Sequence, residues 1–373
     1  MALTQRTPFF MPELMTRFAV TLGILAIYRL GTHLPLAGID QTALANLSAG
    51  IDKAALASLG SAFTGESVSI FSLGVTPIIS ALVVVEVVRL ASERFNDWAG
   101  TTLNARRVDH YVLIGSLLIA ALQGYGIATG LEQARDVVDE PGTQFQINVV
   151  ATFVAGTALL VWLAALISRH GVGSGVWILL LAPYLAGIPG LALSVNEAVH
   201  SGIMSEAALV TALAYVIIAL ATVATLACTL AKLEMPLDRT LIWPLYIATI
   251  PTGALVLALW FVPDGPMRDT AAALLSPGAP LYLGVLAVIV IVTSLVQWQR
   301  VGPRPALAPP SLRTEGIGAS LTVLTVLTLA AITVLPEFLT TRLGLPMLID
   351  GRVMTAIVAV ALAMQDLLRR GQA

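Results

Sequence analysis

The chain has 373 residues, of which 57% belong to the set AVILMFWYC and 11% are charged, and its formal net charge is −2. Soluble domains carry roughly a quarter charged residues, so this sequence cannot coat a water-soluble globule, and it holds too much apolar mass to remain disordered. The near-zero charge removes a global basic field for nucleic acid, the single Cys228 removes a disulfide framework or thiolate metal site, and long apolar runs in place of period-two alternation indicate membrane-spanning helices, not a barrel.

A spanning helix needs about 20 mostly apolar residues. Ten runs qualify, at 13–34, 74–90, 110–129, 148–167, 175–193, 206–230, 241–262, 280–296, 317–335 and 347–368. In the first, Arg17 and Arg29 bracket eleven uncharged residues. That is only about 18 Å of helix, too little to cross about 30 Å of hydrocarbon. Arg29 is therefore expected inside the protein envelope or snorkelling, with the helix running on to Leu34. A secretory signal over residues 1–30 is the competing reading; a basic residue ends the apolar run and nothing resembles a cleavage site.

Before the second run, residues 54–69 are rich in small side chains and interrupted by Gly60 and Gly65. They are too short and broken to span. They form either an outer loop or a short helix folded back into the bundle, which the spacing of Leu56, Leu59 and Phe63 allows. The second run contains Pro77, expected to permit a kink, and Glu86. A carboxylate at that depth pairs with Arg89 or Arg94, or marks a polar spot between helices. Gly126 and Gly130 form a small-xxx-small pattern in the third run, read as a packing device. Gly171, Gly173 and Gly175 give a tight turn between the fourth and fifth. Pro251 lies within the seventh, and Asp366 near the inner end of the tenth, beside Arg369 and Arg370.

With the N-terminus in the cytoplasm, Arg29, Lys53, Arg135, Arg268, Arg342 and Arg352 fall outside and the other 14 of 20 basic residues inside. The positive-inside rule then places both termini in the cytoplasm, in agreement with an even number of spans. The chemistry of an enzyme is absent. Neither Lys53 nor Lys232 follows a glycine, so there is no phosphate-binding loop. His33, His110, His170 and His200 lack a second ligand at metal spacing. No cofactor or metal is expected, and no chain of intramembrane charges suggests a proton relay.

Several strings carry a resemblance. They are RFAVTLG from Arg17, YRLGTHLPLAGID from Tyr28 to Asp40, SIFSLGVTPIIS from Ser69 to Ser80, and QGYGIATG from Gln123 to Gly130. GVGSGV from Gly171, AGIPG from Ala186, MPL from Met235 and LPEF from Leu335 continue the series. In this order, over ten spans, the chain resembles the SecY family of protein-conducting channels. The resemblance implies an all-α integral membrane protein with ten transmembrane helices in two pseudo-symmetric five-helix halves, here 1–200 and 201–373. The halves clamp an hourglass pore that opens sideways between spans two/three and seven/eight. It implies a plug at about 56–66 carrying Leu56, Leu59 and Phe63. It also implies a pore ring of Val75, Ile79, Val176, Leu180, Ile247 and Ile357, and a lateral gate bearing Glu86, Gln123 and Thr240. A SecE-like small subunit with or without a SecG-like one, a translocating polypeptide or signal sequence and the lipid bilayer are the implied partners, in the bacterial inner membrane.

The sequence departs from the family in two respects. Family members dock the ribosome and motor ATPase through long basic loops between spans six and seven and between eight and nine. Here those loops, about 231–240 and 299–316, are short, and the chain ends three residues after Arg370. Arg106, Arg107, Arg300 and Arg304 are the remaining cytoplasmic docking candidates, so ribosome and motor binding is expected to be weak. Second, Glu86 stands where the family usually has glutamine, and Thr240 where it often has asparagine. The expected function is a divergent protein-translocation channel. The alternatives are a SecY-derived scaffold or accessory subunit that does not conduct, and a small-solute or ion-coupled transporter, which mid-membrane polar relays would have favoured.

Overall fold

Apolar runs of 20 residues or more must satisfy their backbone internally once water is withdrawn, which leaves the helix as the only local solution. A computed structural model of the chain describes residues 10–40, 42–43, 68–92, 102–133, 137–201, 205–233, 235, 237–248, 265–266, 270–271, 274, 279–301, 315–343 and 351–370. Ten α-helices follow one another among these residues. They are α1 (Phe10–Thr32), α2 (Thr76–Ala91), α3 (Thr102–Gln133), α4 (Thr143–His170), α5 (Gly175–His200), α6 (Glu206–Lys232), α7 (Trp243–Ile247), α8 (Pro280–Val301), α9 (Glu315–Leu343) and α10 (Gly351–Arg370). A π-helical turn, Asp238–Ile242, leads into α7. Six described segments, within α3, α4, α5, α6, α8 and α9, are long and apolar enough to cross a bilayer. Leu118, Leu122, Ile217 and Val288 stay well exposed on them, as lipid-facing positions do in a multi-pass membrane protein.

The chain divides into two compact units, residues 1–183 with 363–373, and residues 184–362. The division falls inside α5 and again inside α10.

In the first unit, α3 packs against both α2 and α4, and α1 against α4. Ala120, Ala128 and Leu131 of α3 meet Phe145, Val149 and Phe153 of α4 in a buried cluster with Leu36, Ile39, Val68, Leu73 and Val137. The close approach of α3 and α4 depends on Gly124, where a methyl would stand 3.1 Å from the Phe153 ring and 3.4 Å from the Val150 backbone. The pattern at Gly126 and Gly130 does not serve this purpose. Both glycines are exposed and a methyl on either meets nothing within 4 Å among the described residues. One end of the bundle is bound by extended chain: residues 34–40 run between 68–70 and 137–139. Leu36 N–H donates to Val68 O (2.9 Å), Ile70 to Leu34 (3.2 Å), Asp40 to Val137 (2.9 Å) and Asp139 to Gly38 (3.2 Å). The Glu132 carboxylate then holds the start of α4, accepting from Gly142 N–H at 2.7 Å and Gln146 Nε2 at 2.6 Å.

In the second unit, α8 packs against α9, α7 and the π-turn, and α9 against α6. Val223, Leu226 and Leu230 of α6, Leu241 and Leu245, Leu286 and Val290 of α8, Leu329 and Ile332 of α9, and Met354 and Val358 of α10 form its core. Ser205 caps α6 by accepting from Ala208 N–H at 3.2 Å. This satisfies one of the donors that every helix start leaves open.

Two further expectations are narrowed by the structure. Pro77 is not in a helix interior: α2 begins at Thr76, so Pro77 occupies the first turn, where its missing N–H removes no helix bond. Arg29 is exposed on the last turn of α1. The described residues therefore do not enclose it. Pro251 lies outside the described residues.

Candidate functional site

The best-defined candidate region begins at the approach to α2. Val68 and Ser69 end the extended segment, and the chain then descends through bonded turns. Ser72 N–H donates to Ser69 O (3.0 Å), Gly74 to Phe71 (2.8 Å), Thr76 to Leu73 (3.2 Å) and Ile79 to Val75 (3.0 Å). Gly74 is left-handed, with φ of 52°, a conformation open to glycine at little cost. The buried Ser69 and Ser72 brace the turn through a Ser69 N–H to Ser72 Oγ bond of 2.7 Å. Val75 is the N-cap position of α2 and Ile79 lies one turn further on; both are buried.

Phe71 sits in a socket built from distant sequence. Its ring stacks on Tyr28 with centroids 5.8 Å apart and planes 9° apart. A methyl on Gly31 would overlap that ring, and one on Gly156 would stand 2.5 Å from Ile70 O. No local pattern in the sequence marks this socket, because α1, the approach to α2 and α4 each supply part of it.

On α5, Val176 and Leu180 are half-buried and one turn apart. The turn before them is pinned from two helices. Thr21 Oγ1 of α1 accepts from Val172 N–H at 3.1 Å and donates to Arg17 O at 2.9 Å. Arg17 donates to Gly171 O at 3.4 Å. Ser168 Oγ of α4 accepts from Gly175 N–H at 2.9 Å. Gly173 has a φ of 70°, and methyls on Gly171 and Gly175 would run into the α4 backbone.

In the second unit, Ile247 is buried at the end of α7 and Ile357 half-buried on α10. Thr240 is buried in the π-turn, donating to Leu237 O at 3.4 Å. Such π-turns recur at functional positions. The Thr293 hydroxyl of α8 donates to Ile289 O of its own helix at 2.8 Å and lies 3.3 Å from Pro244 O of α7.

Glu86 is buried on α2 and pairs with Arg89 at 3.6 Å. Gln123 is half-buried on α3, with its Oε1 shielded from solvent. Arg107 and Arg300 are exposed. The side chain of Arg106, together with Arg304 and Arg94, and the whole segment with Leu56, Leu59 and Phe63, lies outside the described residues.

Residues 69–241, from the approach to α2 to the π-turn, match the SecY family model. The SecY translocase subunit of Escherichia coli K12 is 32% identical over 184 residues, covering 48% of this chain and 41% of that protein. The SecY subunit of Buchnera aphidicola from Acyrthosiphon kondoi is 33% identical over 188 residues, covering 48% and 51%. That of Haemophilus influenzae is 27% identical over 308 residues, covering 75% and 70%. Over the first of these matches the chain spans about half the length of its curated relatives. Among solved structures, a protein-conducting channel superposes with a TM-score of 0.61 at 15% identity, over 96% of this chain and 93% of that one. Sec61 from a canine ribosome–channel complex of the endoplasmic reticulum gives 0.62 at 15% identity, over the same shares. The chain thus carries the SecY family's sequence signature in residues 69–241, just under half of its length, and shares the fold of solved protein-conducting channels over nearly all of it.

Proposed function

We propose that this protein is a translocation channel that moves polypeptides across the bacterial inner membrane or inserts them into it. The observation that carries the reading is the family match over 69–241, which begins at the socketed approach to α2 and ends in the π-turn before α7. The channel is formed by the chain's side chains and needs no resident cofactor, and the protein is not an enzyme.

In this reading Val75 and Ile79 of α2 and Val176 and Leu180 of α5, with Ile247 and Ile357 from the second unit, line an aliphatic constriction. Such a ring holds too little water to pass ions, yet its side chains yield around an extended polypeptide. The bonded turns before α2 and α5 support this assignment. A constriction seals only if the backbone beneath it is held in place, and each of these helices starts from a pinned turn. Residues 56–66 act as the plug, and Glu86, Gln123 and Thr240 border the sideways opening. Glu86, tied to Arg89, gives that border an ion pair in place of a neutral amide. A SecE-like single-span subunit, with or without a SecG-like one, braces the assembly. Both termini lie in the cytoplasm, as the basic bias predicts. Ribosome and motor docking is weak because the cytoplasmic loops are short.

The test is reconstitution of the full chain with a SecE-like subunit into phospholipid vesicles, followed by presentation of a precursor bearing a signal sequence. The precursor is expected to become protease-protected inside the vesicles when ribosomes or a motor ATPase, supplied in excess to offset the weak docking, drive it. Protection no greater than in empty vesicles under both drives, with an E. coli SecY control active alongside, would overturn the reading.

A further inference from the structure

The approach to α2 carries an inference that rests on the channel reading and deepens it. We infer that Phe71 is a positioning residue whose socket between α1 and α4 sets the depth of Val75 and Ile79.

Phe71 is 3% exposed and lies face to face with Tyr28. Tyr28 and Gly31 are three residues apart and share one face of α1, so one supplies a flat wall and the other the space beside it. Gly156 of α4 opens the opposite side, where a methyl would stand 3.5 Å from Phe71 Cδ1 and 2.5 Å from Ile70 O. Two glycines on two helices therefore make room for one ring and the backbone that carries it.

Little slack separates that ring from the constriction. Gly74 N–H donates to the carbonyl of Phe71 itself at 2.8 Å, and Ile79 N–H to that of Val75 at 3.0 Å. Upstream, Ile70 N–H is fixed to Leu34 O at 3.2 Å. The helix has no side-chain cap at Val75, so its start is held by the bonded turns that run back to Phe71 and, through them, by the socket that holds its ring. A displaced Phe71 moves Val75 and Ile79 together, loosening the constriction with none of its residues changed.

The test measures resting chloride efflux from vesicles containing the full chain as Gly31→Ala, Phe71→Leu, the double variant, Val75→Gly or Leu329→Ala. Thermal midpoints are recorded in parallel. Val75→Gly widens the constriction directly and tests the channel reading. Leu329→Ala opens a cavity in the core of the other unit and tests general destabilisation. Gly31→Ala overpacks the socket, and if the strain falls on the closed state the efflux rises by about fivefold to a hundredfold. Leucine lacks Cε2 and Cζ, two of the three Phe71 atoms that the methyl added by Gly31→Ala would strike, and its remaining Cδ atoms are free of the rigid ring. Gly31→Ala/Phe71→Leu is therefore expected to leak less than Gly31→Ala alone, while Leu329→Ala is destabilised but tight. If Val75→Gly leaks while Gly31→Ala and Phe71→Leu stay as tight as the parent, the inference fails and the channel reading stands. If Val75→Gly does not leak, the channel reading fails. If Gly31→Ala does not fold, Phe71→Leu decides: a leak above that of Leu329→Ala at equal midpoint supports the socket, and none overturns it.

Discussion

Thr21 ties α1 to the turn that launches α5, across 151 residues of sequence, and replacing it by valine isolates that tie. Valine keeps the size and branching of threonine but cannot accept the Val172 N–H. Thr21 is 8% and Val172 3% exposed, so water does not take over the bond. A buried donor left without its acceptor costs about 1–3 kcal/mol. Thr21→Ser keeps the hydroxyl and loses one methyl, worth about 0.8 kcal/mol. Unfolding titrations of both variants in detergent micelles should therefore rank the parent first, serine next and valine last. The valine variant should also expose the Gly171–Gly175 turn to faster amide exchange. A valine variant as stable as the serine one would refute the claim that the hydroxyl, not the packing, pins this turn.

Removing the Glu86 carboxylate by Glu86→Ala strands much of the Arg89 charge. The expected loss of stability is roughly 1–2 kcal/mol, less than the about 3–5 kcal/mol of a fully buried pair, because the Arg89 side chain is 22% exposed; micelle titrations measure it, and Glu86→Gln should lose less. Asp40 accepts N–H bonds from Ala43 and Thr42, which hold its pKa below the usual carboxylate value. Its stabilising effect is therefore present above the unfolded value of about 3.9 and is lost as pH falls through the lower folded value; Asp40→Asn should flatten that acid limb in a pH–stability profile. Exposed charges are screened beyond about 8 Å at physiological salt, so scattered arginines such as Arg107 and Arg300 cannot replace a clustered loop. Co-sedimentation across a salt series should show ribosome binding much weaker than that of a SecY with long cytoplasmic loops, and equal binding would refute this.

The six described spanning segments were legible because each is a run of apolar residues long enough to declare itself, and the glycine-rich turn at 171–175 because glycine readily takes the left-handed and closely approached backbone positions such a turn needs. Side-chain orientation was less accessible. Gly126 and Gly130 form a recognisable pattern, yet α3 turns Gly124 toward α4. The direction a helix faces is decided by its partners, not by its own spacing. Pro77 looked internal because the residues before it are as apolar as those after; the left-handed Gly74 and the bonded turns that delay the helix have no hydropathy signature. The π-turn at Asp238–Ile242 is hidden for the same reason. The Phe71 socket joins Tyr28, Gly31 and Gly156, and no single stretch of sequence contains it. Among the ring candidates, an aliphatic residue in so apolar a chain says little by itself, so Val75, Ile79, Val176 and Leu180 entered through family resemblance.

The most direct measurement places a photo-crosslinking amino acid singly at Val75, Val176, Ile247 and Ile357, and at the exposed Leu118 and Ile217, in vesicle-reconstituted protein holding an arrested translocation intermediate. A protein-conducting channel predicts crosslinks to the arrested polypeptide from the four ring positions and not from the two exposed ones. Equal crosslinking from all six, or none from the ring while the intermediate is present, would contradict the account.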